Sequence, residues 1–241
     1  FFYLFLIMQP APVIRGNIFR SSCQTLVNTV NCVGVMGTGL AFECRLRYPV
    51  MFQQYAQLCA DKKLDVGRLW IYKEDSRWVL NFPTKRDWKH PSKLEYLHLG
   101  LQKFMATYQG RGITSIAFPL LGAQNGGIDP VVALDLMQSY LKHCTIPVEI
   151  YQYDPQASDD LFDTFKQSLT AHSDVALKTS VGLRSDALAR LRRALDNPGI
   201  CQMSQLLAIP GVGEKTLEKC FRLVTQDASV KAQAEQSLFD F

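Results

Sequence analysis

Between Val13 and about Asp154, short apolar runs alternate with longer stretches in which apolar residues recur every three or four positions, the rhythm of a layered α/β domain. Strands are predicted at Val13–Ile14, Thr25–Val30, Arg68–Tyr72, Trp78–Phe82, Ser115–Pro119 and Val148–Tyr153. Helices are predicted over Leu40–Lys62, interrupted near Tyr48–Pro49, then over Ser92–Tyr108 and Pro130–His143. Asp129 is the expected N-cap of the last helix, with Pro130 at its first helical position.

Beyond Asp154–Pro155 the pattern changes. Residues 156–182 carry weaker periodicity and read as a terminal helix and linker, and residues 183–225 read as a small all-α module rich in Leu and Ala. Residues 226–241 are a polar tail that ends on Leu238-Phe239-Asp240-Phe241. No internal repeat is evident, so the expected organisation is a domain over 8–155, the linker, the helical module and the tail. The apolar Phe1–Ile7 is too short to span a bilayer and lacks the basic start of a signal peptide; it reads as an upstream extension before Met8 or an added edge strand.

Composition narrows this picture only slightly. A chain of 241 residues accommodates one well-packed domain and a smaller one, and a net charge of +4 is too mild to imply a polyanion partner by itself. Seven cysteines stand singly, without C-x-x-C spacing, and four histidines form no ligand pattern beside them, so no metal and no cofactor are expected. Isolated thiols fit a reducing cytoplasm.

The candidate chemistry lies in three loops that follow predicted strands. The first runs from Val27 through Asn28, Asn31, Gly34, Gly37 and Gly39 to Leu40, from a strand end into a helix start. Glycines let a backbone approach a ligand closely, amides at a helix start suit a diphosphate, and Asn side chains suit ribose hydroxyls. The second is Asn81-Phe82-Pro83-Thr84-Lys85-Arg86-Asp87-Trp88-Lys89, and the third is Pro119-Leu120-Leu121-Gly122-Ala123-Gln124-Asn125-Gly126-Gly127-Ile128-Asp129. Two phosphate-type loops in one sheet, with a lysine and an aspartate beside them, point to a nucleotide-diphosphate ligand at the strand ends. No G-x-G-x-x-G follows the first strand, which argues against a dinucleotide dehydrogenase.

The ordered set G-N-I-F (Gly16–Phe19), V-N-T-V-N-C-V-G-V-M-G-T-G-L-A (Val27–Ala41), N-F-P-T-K-R-D-W (Asn81–Trp88) and G-A-Q-N-G-G-I-D (Gly122–Asp129) resembles the DarG branch of the macrodomains over about residues 13–154. That branch comprises antitoxin ADP-ribosyl glycohydrolases paired with the toxin DarT, and it is close to the terminal ADP-ribose protein glycohydrolases. The resemblance implies a three-layer α/β/α fold with a mixed sheet. It places Asn17, with Ile18 beside it, where many macrodomains carry an adenine-binding Asp. It implies that Gly34, Val35, Met36, Gly37, Gly39 and Leu40, with Thr84 and with Gly122, Asn125, Gly126 and Gly127, enclose the diphosphate and distal ribose. Asn28 and Asn31 are then expected at the distal ribose and linked base; a role in satisfying backbone groups of the turn is the plainer alternative.

Lys85 is the expected catalytic lysine, either as a free amine attacking ribose C1″ or as an ammonium stabilising charge on the departing base. Asp129 is expected beside it as a general acid/base or a ribose-orienting group, and also as a helix cap. Arg86, Trp88 and Lys89 are expected at the rim, where cations meet phosphates and an indole stacks on a base. Thr38 departs from the family pattern, which has a lysine in G-K-G, and removes one positive charge at the pocket mouth.

In the helical module, Ile209-Pro210-Gly211-Val212-Gly213-Glu214-Lys215 resembles the hairpin of a helix-hairpin-helix motif, with Gly211, Gly213 and Lys215 as DNA-backbone contacts. An ordinary helix–helix turn is the alternative. The ending with Gln236, Leu238, Phe239 and Phe241 resembles peptides that dock into bacterial sliding clamps. The expected activity is removal of ADP-ribose from thymidine in DNA, single-stranded in the first instance, in a cytoplasmic enzyme that reverses DNA ADP-ribosylation. Glycohydrolysis of modified protein carboxylates and ADP-ribose binding without turnover are the rival readings.

Overall fold

A computed structural model of the chain describes residues 9–225; the apolar Phe1–Ile7 and the clamp-like Gln236, Leu238, Phe239 and Phe241 lie outside them. Two compact units divide the chain between Asp154 and Pro155. Among the described residues no helix is long and apolar enough to cross a membrane.

The first unit is built on six strands: β1 (Val13–Gly16), β2 (Thr25–Val30), β3 (Trp70–Lys73), β4 (Trp78–Pro83), β5 (Ile116–Pro119) and β6 (Val148–Tyr153). Their order is β1-β6-β5-β2-β4-β3, parallel throughout except for the antiparallel β3–β4 hairpin at the edge. The sheet is therefore mixed, as expected. Its helices are α1 (Gly39–Arg47), α2 (Pro49–Ala60), α3 (Leu94–Thr107) and α4 (Pro130–Leu141). The predicted 40–62 helix breaks at Tyr48, whose successor Pro49 cannot continue the α1 ladder but suits the first turn of α2.

Strand periodicity sorts the two cores. Val27, Leu80, Phe118 and Ile150 point to one face, where they pack with Leu97, Leu101 and Phe104 of α3 and Ala133 and Met137 of α4. Their neighbours Leu26, Val79, Ala117 and Tyr151 point to the other, against Cys44 of α1 and Met51, Tyr55 and Cys59 of α2. A strand with apolar residues on both faces must be covered on both, which makes the three-layer α/β/α arrangement.

The second unit is all-α: α5 (Phe162–Ala171), α6 (Asp174–Val181), α7 (Ser185–Ala194), a 3-10 helix (Met203–Ala208) and α8 covering 214–225. The segment 156–182, read as a terminal helix and linker, contributes α5 and α6 to this unit, with Phe165, Leu169 and Leu177 fully buried. Asp159 is buried and accepts from Phe162 N and Met203 N, both at 2.6 Å, tying the entry of α5 to the 3-10 helix. Weak periodicity concealed this helix pair, because its apolar positions are few and interrupted by polar ones.

The structure also corrects the absence of an internal repeat. At a constant offset of 29 residues, buried Leu177, Leu183, Leu188, Leu191 and Leu195 fall on buried Leu206, Val212, Leu217, Cys220 and Val224. Gly182 (φ 74°) falls on Gly211 (φ 82°), each ending a turn before a helix. The two halves also grip one another reciprocally: Arg190 Nη1 donates to Gly211 O at 3.3 Å, and Lys219 Nζ, which stands 29 positions after Arg190, donates to Gly182 O at 2.7 Å. The sequence conceals this duplication because only burial pattern and hairpin geometry are kept; few residue identities are.

Candidate active site

A crevice of about 430 Å³ opens at the carboxyl ends of β2, β4 and β5. From β2 the chain passes to β3 and β4 on one side and then crosses to β5 on the other, so loops leaving neighbouring strands part and leave a gap between them. Thr29, Val30 and Asn31 line it from the end of β2, Thr84, Lys85 and Trp88 from the loop after β4, and Pro119 and Leu120 from the end of β5. Loop one adds Val35, Gly37, Thr38 and Leu40, and loop three adds Gly122, Gln124, Asn125 and Gly126.

Loop one is held by its own side chains. Asn31 Oδ1 accepts from Val33 N at 3.0 Å and Val35 N at 3.3 Å, while its Nδ2 donates to Val35 O at 2.5 Å. Tyr55 Oη donates toward the same residue, 2.8 Å from Asn31 O and 3.0 Å from Asn31 Oδ1. Burial, followed by the neighbouring Cys59, raises the Tyr55 phenol above its usual range, so it stays a hydrogen-bond donor. Asn31 therefore lines the crevice as the brace of a turn; its polar atoms are occupied by backbone rather than offered to a ribose.

Asn28 lies deeper than Asn31. It is fully buried and donates through Nδ2 to Asn81 Oδ1 at 3.0 Å, its register partner on β4. The same Nδ2 lies 3.9 Å from the sulfur of Met36, which is itself buried and closes the loop from below. Asn28 and Met36 are both buried and neither lines the crevice, and Asn28 Oδ1 and Asn81 Nδ2 stay buried without a hydrogen-bond partner. Gly34 lies outside it too, backed against α2, where an added Cβ would sit 3.5 Å from Ala56 Cα.

Two close approaches shape the opening. At Gly39 (φ 57°), which starts α1, an added Cβ would lie 2.7 Å from Asn125 Nδ2, so loops one and three meet there. At Gly126 an added Cβ would lie 2.3 Å from Gly122 O and 2.5 Å from Ser92 Oγ, so no side chain fits. Ser92 N donates to Gly126 O at 2.9 Å and fastens loop three to the start of α3. Gly127 (φ 75°) is exposed beyond the crevice lining.

Lys85 is half-buried in the crevice and donates from Nζ to Asn125 O at 2.5 Å, joining the second loop to the third. Trp88 is 52% exposed on the lining, with Lys89 Nζ 5.6 Å from its ring. Arg86 turns elsewhere: its Nε is 3.5 Å from Asp65 Oδ1 and its Cζ is 5.6 Å from the Tyr96 ring, outside the crevice lining. Asp129 is also outside the lining. Its Oδ1 accepts from Val131 N at 2.9 Å and Val132 N at 3.1 Å, the N-cap of α4, so one carboxylate oxygen serves the helix.

Asn17 and Ile18 lie away from the lining as well. Asn17 is buried, and its Oδ1 accepts from Phe19 N at 3.0 Å, capping a 3-10 turn; Ile18 packs into the core against α2. Lining residues given no site role by the sequence reading are Thr29, Val30, Ala41, Pro119, Leu120 and Gln124. Their signal was present, since each stands inside or beside a loop already singled out. Tyr55 left no such signal: an aromatic at helical spacing reads as core, which it also is.

Comparison with known proteins agrees with this geometry. A family model for the Macro domain matches residues 27–137. A curated protein of Thermus aquaticus, the DNA ADP-ribosyl glycohydrolase, is 35% identical over 183 residues, which are 74% of this chain and 48% of that protein. The chain thus spans about half the length of that relative. Among solved structures, the macrodomain of Thermus aquaticus DarG is 36% identical with a TM-score of 0.55, over 60% of this chain and 98% of that one. Thermosipho africanus DarTG in complex with ADP-ribose is 35% identical with a TM-score of 0.56, over 59% of this chain and 42% of that one. With three strand-end loops around one crevice and a DarG macrodomain matched over nearly its whole length, the chain belongs to the macrodomain family.

Proposed function

We propose that the first unit binds ADP-ribose in the crevice and hydrolyses the N-glycosidic bond that joins it to a thymidine base in DNA. The observation that carries this reading is the Lys85 amine, which stands in the crevice between two glycine-rich loops. Backbone amides of loops one and three, with Thr84, would hold the diphosphate and distal ribose. Lys85 would then act at C1″. As the C1″–N bond breaks, its electron pair goes to the base. Lys85 donates to that developing charge, water adds to C1″, and one proton of the water replaces the bond at the base nitrogen. Free ADP-ribose and unmodified thymidine result. The exposed Trp88 and Lys89 would take the nucleotides flanking the modified one, by stacking and by charge.

We infer that the second unit holds DNA through Gly211, Gly213 and Lys215 and raises the local concentration of substrate rather than supplying chemistry. The modification would come from a DNA ADP-ribosyltransferase toxin of the DarT type, and this chain would reverse its action. DNA is favoured over protein carboxylates because the curated relatives, at 35–40% identity, are DNA ADP-ribosyl glycohydrolases.

The test is release of ADP-ribose from a thymidine-modified oligonucleotide, run beside a glutamate-modified peptide and beside Lys85→Ala. Release from the oligonucleotide alone, abolished in the variant, supports the reading. Release only from the peptide moves the activity to protein esters, and binding without release from either leaves an ADP-ribose reader.

A further inference from the structure

Among the described residues, the buried side-chain atoms without a hydrogen-bond partner are Asn28 Oδ1, Asn81 Nδ2 and Ser92 Oγ. Each lies against one of the three crevice loops. Asn28 is beside Met36 of the first, Asn81 opens the second, and Ser92 is beside Gly126 of the third. Native folds pair nearly all their buried polar groups, and the exceptions gather where function holds them.

The geometry around Ser92 says what its hydroxyl is for. The residue is 8% exposed and stands where a serine ordinarily caps a helix, yet α3 begins at Leu94 behind Lys93 with no side-chain cap. Its main chain is already fastened to loop three, through Ser92 N and Gly126 O at 2.9 Å. The hydroxyl faces the same loop. A Cβ on Gly126 would stand 2.5 Å from Ser92 Oγ and 2.3 Å from Gly122 O, so a donor and an acceptor flank the point that Gly126 leaves open. Gly122 O accepts from Ile128 N at 3.0 Å, and a carbonyl oxygen can take a second bond. Next to Gly126 in the chain is Asn125, whose carbonyl holds the Lys85 amine.

We propose that Ser92 is a positioning residue of the crevice. As loop three closes on the diphosphate of ADP-ribose, the Ser92 hydroxyl donates to Gly122 O across the point left open at Gly126. That bond fixes the Asn125 carbonyl and, through it, Lys85. This rests on the reading that the crevice binds ADP-ribose. It adds that the ligand recruits a hydroxyl which the fold leaves unpaired, so that the lysine comes into line with the substrate seated. An unpaired buried hydroxyl weakens the fold, and pairing it in the complex strengthens binding.

The test is Ser92→Ala in the full chain, with free ADP-ribose as the probe. Without ADP-ribose, the thermal unfolding midpoint of the variant should equal or exceed that of the parent, because no bond is lost and an unpaired group is removed. Affinity for ADP-ribose, measured by calorimetry, should fall by about three- to tenfold, the worth of one hydrogen bond. Hydrogen exchange read on peptides covering residues 121–129 should show protection by ADP-ribose in the parent and less in the variant. Ser92→Thr, which keeps the hydroxyl, should recover the affinity. Unchanged affinity in Ser92→Ala would overturn the proposal, and a lowered midpoint beside it would make the hydroxyl a structural bond of the fold. Because the probe is free ADP-ribose, weakened binding in Ser92→Ala without release from a modified oligonucleotide keeps this inference and removes the proposed hydrolysis. Release by the parent with unchanged affinity in Ser92→Ala does the reverse.

Discussion

The amine of Lys85 and the main-chain oxygen of Asn125 lie 2.5 Å apart, so the second residue after β4 is steadied by the loop after β5, forty positions further along the chain. Asn125 also sets its side-chain amide against Gly39, so this one residue touches both other loops of the crevice. A lysine held by a backbone carbonyl is positioned without a second charged group, and its reach depends on loop three keeping its shape.

Substituting Lys85 should therefore separate chemistry from binding. Lys85→Ala is expected to slow ADP-ribose release by about 10²- to 10³-fold, the cost of removing one donor at developing charge. Affinity for free ADP-ribose, measured by calorimetry, should stay within about threefold, since the backbone amides remain. Equal losses in affinity and rate would assign the lysine to ligand binding instead.

Gly126→Ala should fail more broadly. A Cβ only 2.3 Å from Gly122 O forces loop three to move, carrying with it the carbonyl that holds Lys85. ADP-ribose affinity is expected to fall by about tenfold or more, roughly 1.4 kcal/mol. Gly127→Ala is the control: nothing lies within 4 Å of its added Cβ, and only the left-handed backbone (φ 75°) resists it, at a cost of about 1 kcal/mol in stability. Matching affinities for the two variants would refute the steric account.

Asp129 is expected to behave as a helix cap. Asp129→Ala should lower stability by roughly 0.5–2 kcal/mol, measured by urea unfolding, whereas Asp129→Ser keeps an oxygen at the cap and should restore most of it. Release of ADP-ribose by Asp129→Ser should remain close to the parent rate. A stable but inactive Asp129→Ser would bring the carboxylate back into the chemistry.

Cys32 lies directly after Asn31 in loop one, with Sγ 3.3 Å from Lys85 O, and burial together with the Asp65 charge pushes its thiol up to about 12. A thiol held that high carries very little thiolate at pH 8, and the thiolate is the reactive form. Alkylation by iodoacetamide, followed by peptide mass spectrometry, should leave Cys32 unmodified at pH 8 in the folded chain and label it after denaturation. Rapid labelling of Cys32 in the folded chain would mean that loop one opens on that timescale.

Much of the fold is legible along the chain because period is a local property. Strand β2 spans Thr25–Val30 as its apolar run predicts, and α4 begins at Pro130 behind Asp129, where cap and proline act within a few residues. The three loops are legible for the same reason: glycines and a lysine at strand ends mark a place where backbone and charge can meet a ligand.

Which side chains those loops present is another matter, and here Asn28, Asn31 and Asp129 are instructive. Each is a polar residue next to a glycine-rich loop, and sequence alone cannot tell a ligand contact from a structural bond. Tertiary structure turns Asn28 inward onto Asn81, spends Asn31 on its own loop and Tyr55, and leaves Asp129 on a helix end. Strand register decides the first and the packing of α2 the second, both of which join residues distant in the chain. The duplicated hairpins of the second unit show the same limit. Their equivalence lies in burial, in the turns at Gly182 and Gly211, and in two reciprocal bonds across the fold, none of which has a one-dimensional signature once residue identities have diverged. The sequence by itself determined the periodicity, the caps and the loops, because these follow from neighbours in the chain. Only the tertiary structure decided which polar groups bond within the fold and which line the crevice, because that depends on what each side chain meets in space.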